Sequence, residues 1–120
     1  MKHILAPILL MTLLFPALAF GETMDDLVER DGFHYPKFSE VPFTGKVTGK
    51  TQGSIKDGKK HGPYVTYWDN GQLSSKGTYK DNMREGPWVF YTDNGTKRFT
   101  AHRYSWDEGT GTYRNGKKVK

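Results

Sequence analysis

The chain repeats itself every 24 residues, and this periodicity limits its possible folds more than any other feature. Gly53-Ser54-Ile55-Lys56-Asp57-Gly58 returns as Gly77-Thr78-Tyr79-Lys80-Asp81-Asn82. Gly62-Pro63-Tyr64-Val65-Thr66-Tyr67 returns as Gly86-Pro87-Trp88-Val89-Phe90-Tyr91, and Asp69-Asn70-Gly71 returns as Asp93-Asn94-Gly95. A fixed period in this range means stacked supersecondary units, none of which buries its apolar side chains alone. The repeat degenerates toward the end. Gly111-Thr112-Tyr113-Arg114-Asn115-Gly116 matches the unit at Gly77 but lies 34 residues on, which leaves ten extra residues between Gly95 and Gly111 around Tyr104-Ser105-Trp106. A terminal unit that is incomplete suits a cap.

Within the array no stretch has helical periodicity. Short runs of Tyr, Trp, Phe, Val and Thr alternate with Gly, Asn and Asp, the pattern of an antiparallel meander. The expected strands are 44–50, 52–57, 62–68, 72–80, 86–92, 96–104 and 110–114. Asp69-Asn70-Gly71 and Asp93-Asn94-Gly95 read as tight turns, because Asn and Gly accept positive φ. Asp57 to His61, Asp81 to Glu85 and Asn115 to Lys118 read as longer, basic connections. Residues 20–42 form a lead-in, in which 27–30 and 33–35 flank Asp31-Gly32 as a short hairpin. A helical turn starting at Thr23 is the alternative there. The array itself runs over 43–116, and 117–120 form a basic tail.

Among the repeated positions, Gly62 and Gly86 precede a proline at a strand start, where no ladder donor is needed. Gly71 and Gly95 permit left-handed turns. Tyr64, Tyr67, Trp88 and Tyr91 supply apolar area. They fall three apart, so in an unbroken strand they face opposite ways. Either aromatics cover both faces or a bulge resets the alternation.

The segment 1–19 has a different character. Met1-Lys2-His3 is a basic start, Ile4 to Phe15 is apolar, and Ala17-Leu18-Ala19 is a small-x-small site. That order is expected of a secretory signal peptide cleaved after Ala19, or alternatively after Gly21. An apolar run of about 12 residues is shorter than the ~20 that span a bilayer. The expected location is periplasmic or secreted. There is no cysteine, so an exported domain here has neither a lipidated cysteine nor a disulfide and holds together by packing.

Charge is uneven. Residues 20–42 carry six acids and two bases, a net of −4; residues 43–120 carry fifteen bases and seven acids, a net of +8. A basic array suits anionic partners, and dispersed lysines also serve solubility. In a meander, alternate turns lie on opposite long edges. Lys59, Lys60, His61, Arg84, Lys117 and Lys118 then share one edge as a candidate binding rim, and Asp69 and Asp93 share the other. Such a rim could dock an anionic lipid or envelope polymer, or simply discourage edge-to-edge pairing.

Catalytic signals are weak. Thiol chemistry is excluded, and His34, His61 and His102 are scattered without metal-ligand spacing, so no metal or cofactor is expected. Asp107 and Glu108 are adjacent and would face opposite ways in a strand, a poor acid/base pair. Export argues against nucleic acid.

The units 58–71 (Gly-Lys-Lys-His-Gly-Pro-Tyr-Val-Thr-Tyr-Trp-Asp-Asn-Gly) and 84–95 (Arg-Glu-Gly-Pro-Trp-Val-Phe-Tyr-Thr-Asp-Asn-Gly) resemble MORN repeats. They are most similar to the bacterial variant of the YwqK-type antitoxin family, and the likeness covers 43–116. The resemblance implies an all-β fold, an elongated antiparallel meander of stacked hairpins. It also implies a non-catalytic module that binds or scaffolds a protein partner or associates with lipid. The signal peptide departs from an antitoxin that meets its target in the cytoplasm, whereas an immunity-like role outside it remains compatible.

Overall fold

The computed structural model describes residues 22–99 and 108–120. The signal peptide, His102, Asp107, Tyr104-Ser105-Trp106 and most of the strand expected at 96–104 lie outside these residues. Within them the chain is almost all β. The strands are β1 (Glu22–Thr23), β2 (Leu27–Arg30), β3 (Phe33–Pro36), β4 (Gly45–Thr48), β5 (Thr51–Lys56), β6 (Lys59–Lys60), β7 (Gly62–Tyr67), β8 (Leu73–Lys80), β9 (Met83–Phe90), β10 (Gly111–Arg114) and β11 (Lys117–Lys118). They form one long sheet in the order β1-β4-β5-β7-β8-β9-β10-β11, with β6 on β5, plus a separate β2-β3 ribbon. Every pairing is antiparallel except β1 with β4. The meander is therefore present, because sequential strands with short connections pair as neighbours.

Turn lengths are the reverse of the expectation. Asp57-Gly58, Asp81-Asn82 and Asn115-Gly116 are two-residue turns with positive φ at both positions, as is Asp31-Gly32 in the lead-in. This primed geometry follows the right-handed twist of the flanking strands. The basic residues beyond each turn are thus strand residues: Lys59 and Lys60 form β6, Arg84 is in β9, and Lys117-Lys118 form β11 instead of a tail. The connections at 68–72 and 92–96 are the longer ones, each closed by a pair of hydrogen bonds such as Trp68 N to Gln72 O and Gly71 N to Trp68 O. The two loops are 24 residues apart and built alike, since Thr92 N to Thr96 O and Gly95 N to Thr92 O repeat the same pair.

Both alternatives left open at the aromatics are realised in part. Trp88 and Tyr91 do face opposite ways: Trp88 is buried and Tyr91 is half-buried among residues of the other face. The ladder is also irregular, shifting between Thr66 and Tyr67 and between Lys76 and Thr78. Gly62 opens β7 after the break at His61, and Gly86 lies inside β9 opposite the shift between Lys76 and Thr78; at φ of 90° and 79° a side chain at either would be strained.

The core lies on one face, in two clusters. Leu27, Phe43, Val47 and Ile55 are buried together where the lead-in meets the array, with Met24 against them. The 3-10 turn Met24–Asp26 that presents Met24 starts at Thr23, whose amide and hydroxyl both donate to Asp26 Oδ2. The lead-in thus holds both the hairpin and the helical turn. The second cluster is Tyr64, Trp88, Phe90 and Tyr113, with Tyr79 alongside. Its rings touch in series: Tyr64–Tyr79 at 4.9 Å, Tyr79–Trp88 at 5.0 Å, Trp88–Phe90 at 5.6 Å and Phe90–Tyr113 at 6.4 Å between centroids. The first two contacts are edge-on, the geometry favoured by ring quadrupoles and worth about 0.5–1.5 kcal/mol beyond area burial.

Candidate functional site

Strand alternation and the observed register sort the charges of the array into two sets. Tyr64, Ile55, Tyr79, Trp88 and Tyr113 point to the aromatic face. Lys46 pairs with Ser54, Lys56 with Lys59, Lys76 with both Val65 and Val89, Lys80 with Met83, and Arg114 with Lys117. All of these residues lie on the opposite face. Among the described residues eight cations therefore share that face, namely Lys46, Lys56, Lys59, Lys76, Lys80, Arg114, Lys117 and, through its bridge to Tyr91, Lys97. All but Lys59 are exposed. Among the described strand residues the one carboxylate on this face is Glu85, opposite Thr78, and it accepts a hydrogen bond from Asn115 N at 3.1 Å.

Two of these contacts are like-charge pairs across a ladder, Lys56 with Lys59 and Arg114 with Lys117. Like charges directly opposite destabilise a sheet. Between the two pairs runs an apolar groove of about 550 Å³, with Pro63, Val65, Pro87, Val89 and Tyr91 in its lining and Lys76 beside them. Pro63/Pro87 and Val65/Val89 are repeat equivalents, so the groove is a direct product of the 24-residue period. Val65, Val89 and Tyr91 are half-buried, and Pro63 and Pro87 exposed.

The six rim residues expected from sequence do follow the edge that carries the two-residue turns. Backbone bonds tie that edge together, from Asn82 N to Lys60 O at 3.0 Å and from Gly116 N to Arg84 O at 3.0 Å. They do not form one surface. Lys59 and Lys117 belong to the basic face, and His61 is exposed between β6 and β7. Lys60, Arg84 and Lys118 are repeat equivalents on the aromatic face, paired with Ile55, Tyr79 and Tyr113. Lys60 Nζ lies 4.9 Å from the Tyr79 ring centre, and the Arg84 guanidinium lies 5.7 Å from that of Tyr113. Lys118 Nζ donates to the carbonyls of Phe99 and Glu108 at 2.9 and 3.3 Å.

Sequence reading missed Lys46, Lys56, Lys76, Lys80 and Arg114. Their signal was the two-residue alternation, but carrying it from Tyr64 and Trp88 to the neighbouring strands requires the register of each pairing. The other long edge holds Asp69 and Asp93 as expected. Lys50 Nζ meets Asp69 Oδ1 at 2.5 Å, and Asn70 Nδ2 donates to Asp93 O at 2.8 Å. The Lys50 ammonium holds the Asp69 carboxyl below its ordinary range, chiefly through that hydrogen bond. Among the described residues no three His, Asp or Glu side chains are grouped as a metal would need, and no helix is long and apolar enough to cross a membrane.

Residues 60–81, from β6 through β8, match the family described as a MORN repeat variant. Repeats of this kind point to a binding or scaffold module. No curated protein matches the chain, and no solved structure does.

Proposed function

We propose that this is an exported, non-catalytic protein-interaction module that docks an acidic protein surface on its basic face. The observation that carries the reading is the pair of like-charge ladders, Lys56/Lys59 and Arg114/Lys117, flanking the apolar groove. The isolated sheet bears a cost there that an anionic partner would relieve, and the groove offers the desolvated centre that a specific interface needs. The opposite face is occupied by the protein's own aromatic row. An immunity-like role, in which the face masks an acidic patch of an exported partner, is the form of this reading closest to the resemblance noted above. Export rests on the composition of residues 1–19.

A second reading, peripheral binding to anionic envelope lipid or polymer, is favoured by the same eight cations, which make a wider platform than the turn rim alone. Crosslinked capture from envelope fractions separates the two. A protein partner should be lost both with Lys56→Glu/Arg114→Glu and with Val65→Asp/Val89→Asp. Lipid or polymer should be lost with the charge reversals only, and at high ionic strength. Capture that survives both pairs of substitutions would refute both readings.

A further inference from the structure

A cavity of about 280 Å³ lies where the lead-in ribbon meets the turn-bearing edge of the array. Glu29 and His34 from the ribbon line it on one side, and Lys60, Tyr79, Asn82 and Arg84 from the array on the other. We infer that this cavity binds a carboxylate through Arg84 and Lys60.

The argument begins with an unmet donor. Arg84 Nε is buried and has no hydrogen-bond partner. The guanidinium carbon sits 5.4 Å from the Trp88 ring centre and 5.3 Å from that of Phe90. Ring faces attract the charge, yet they leave a buried N–H unsatisfied, and a cation so placed calls for an acceptor oxygen. Lys60 Nζ is likewise held over ring faces. It stands over the Tyr79 and Tyr64 rings at 4.9 and 5.8 Å, and among the described residues no carboxylate lies within ion-pair distance of it or of Arg84.

The repeat supplies an internal comparison. Lys118 is the third equivalent of these two cations, and there two carbonyl oxygens complete its coordination. Lys60 and Arg84 instead line the cavity. Oxygens brought by a ligand would do for the first two units what Phe99 and Glu108 do for the last.

Charge and shape select the ligand class. Two cations and Glu29 give the lining a net charge of one positive, which a monoanion neutralises. The Nε edge of a guanidinium presents parallel N–H groups that match a planar carboxylate. The other polar groups form walls. Asn82 Oδ1 accepts from Lys60 N at 2.8 Å while its Nδ2 donates to Gly32 O at 2.6 Å, and His34 Nδ1 is 3.0 Å from Gly58 O. They fix the cavity between ribbon and array. The carboxylate could come from a small organic acid or from a protein chain. The site is independent of the basic face, so either proposal can fail alone.

The test is a titration of nitrogen-15-labelled protein, read at the Arg84 Nε–H resonance and, in the variants as well, at the backbone amides of the cavity residues Asn82 and His34. The probes are acetate, succinate, a short peptide with a free C-terminal carboxylate and its amidated form, each against sodium chloride at matched ionic strength. Saturable shifts with the acids and the free peptide support a carboxylate site open to small ligands. Shifts with the free peptide alone support it with a protein chain as the source. Arg84→Lys keeps the charge but loses the Nε edge, and binding should weaken about tenfold. Glu29→Gln should tighten it several-fold by removing the one opposing charge. No saturable shift with any probe, equal shifts with chloride, or unchanged affinity in a folded Arg84→Lys protein would overturn the inference.

Discussion

Trp88 packs directly against Gly77: a β-carbon on that glycine would come within 2.1 Å of the indole. Tyr64 covers Gly53 in the same way, with ring atoms 2.6 Å from such a carbon. Each ring also donates to the carbonyl after its glycine, Trp88 Nε1 to Thr78 O at 2.9 Å and Tyr64 Oη to Ser54 O at 2.7 Å. The repeat is thus a ring laid across a bare strand and fastened at its polar end. Gly77→Ala has no slack to relax into, because its neighbour is the middle of a rigid indole. It should cost about 1–3 kcal/mol, read as a lowered urea midpoint, while Thr78→Ala on the exposed face should change the midpoint little.

Tyr64 should make stability fall in alkali. Burial, with a smaller contribution from Tyr79, pushes its phenol well above the ordinary range. The fold therefore keeps the proton that the unfolded chain releases near pH ~10. The stability from neutral Tyr64 is complete below that pH and declines as pH rises through it. Tyr64→Phe should flatten the decline between about pH 9 and about pH 11. At neutral pH it should cost about 1 kcal/mol for the lost hydrogen bond to Ser54 O, which keeps its bond from His61 N.

Asn82 joins the array to the lead-in through both ends of its amide. It also sits at φ 70°, where alanine is strained. Asn82→Ala should cost about 1–3 kcal/mol. Amide exchange should speed up at His34, whose N–H donates to Gly58 O, more than in β8.

Phe38 is fully exposed at φ 64°. Its ring has no packing to lose and its backbone is in a region that asparagine tolerates better. Phe38→Asn should stabilise the protein by about 0.5–1 kcal/mol, seen as a raised thermal midpoint.

Lys56→Glu converts a like-charge ladder pair with Lys59 into an opposite one. It should stabilise the isolated protein by about 0.2–1 kcal/mol while weakening capture of an acidic partner. A substitution that raises the melting midpoint and lowers binding would separate a functional charge from a structural one.

Much of this architecture could be read in the chain. The spacing of Gly53, Gly77 and Gly111 and of Tyr64 and Trp88 marks the units, and the turn residues mark the meander, because those features depend on neighbours in sequence. Turn lengths could not be read as well. Asp69-Asn70-Gly71 and Asp57-Gly58 have the same composition, and only the pairing of β5 with β6 and of β7 with β8 decides which closes in two residues. Nothing local marks Phe90 as a core residue; it is buried because Trp88 and Tyr113 flank it.

By itself the sequence determined a stack of antiparallel hairpins with a basic balance, since a 24-residue period and positive-φ turn residues are local properties. Only the tertiary structure decided which face each cation occupies. Neighbouring residues of a strand alternate, but the register between strands says which of them joins which face: Ile55 pairs with Lys60 and Lys56 with Lys59, and the two residues added at the breaks near Gly62 and Gly86 keep Lys60 and Arg84 on the side of Tyr64 and Trp88. That register puts Lys59 on the open basic face and Lys60, its neighbour, over the aromatic row.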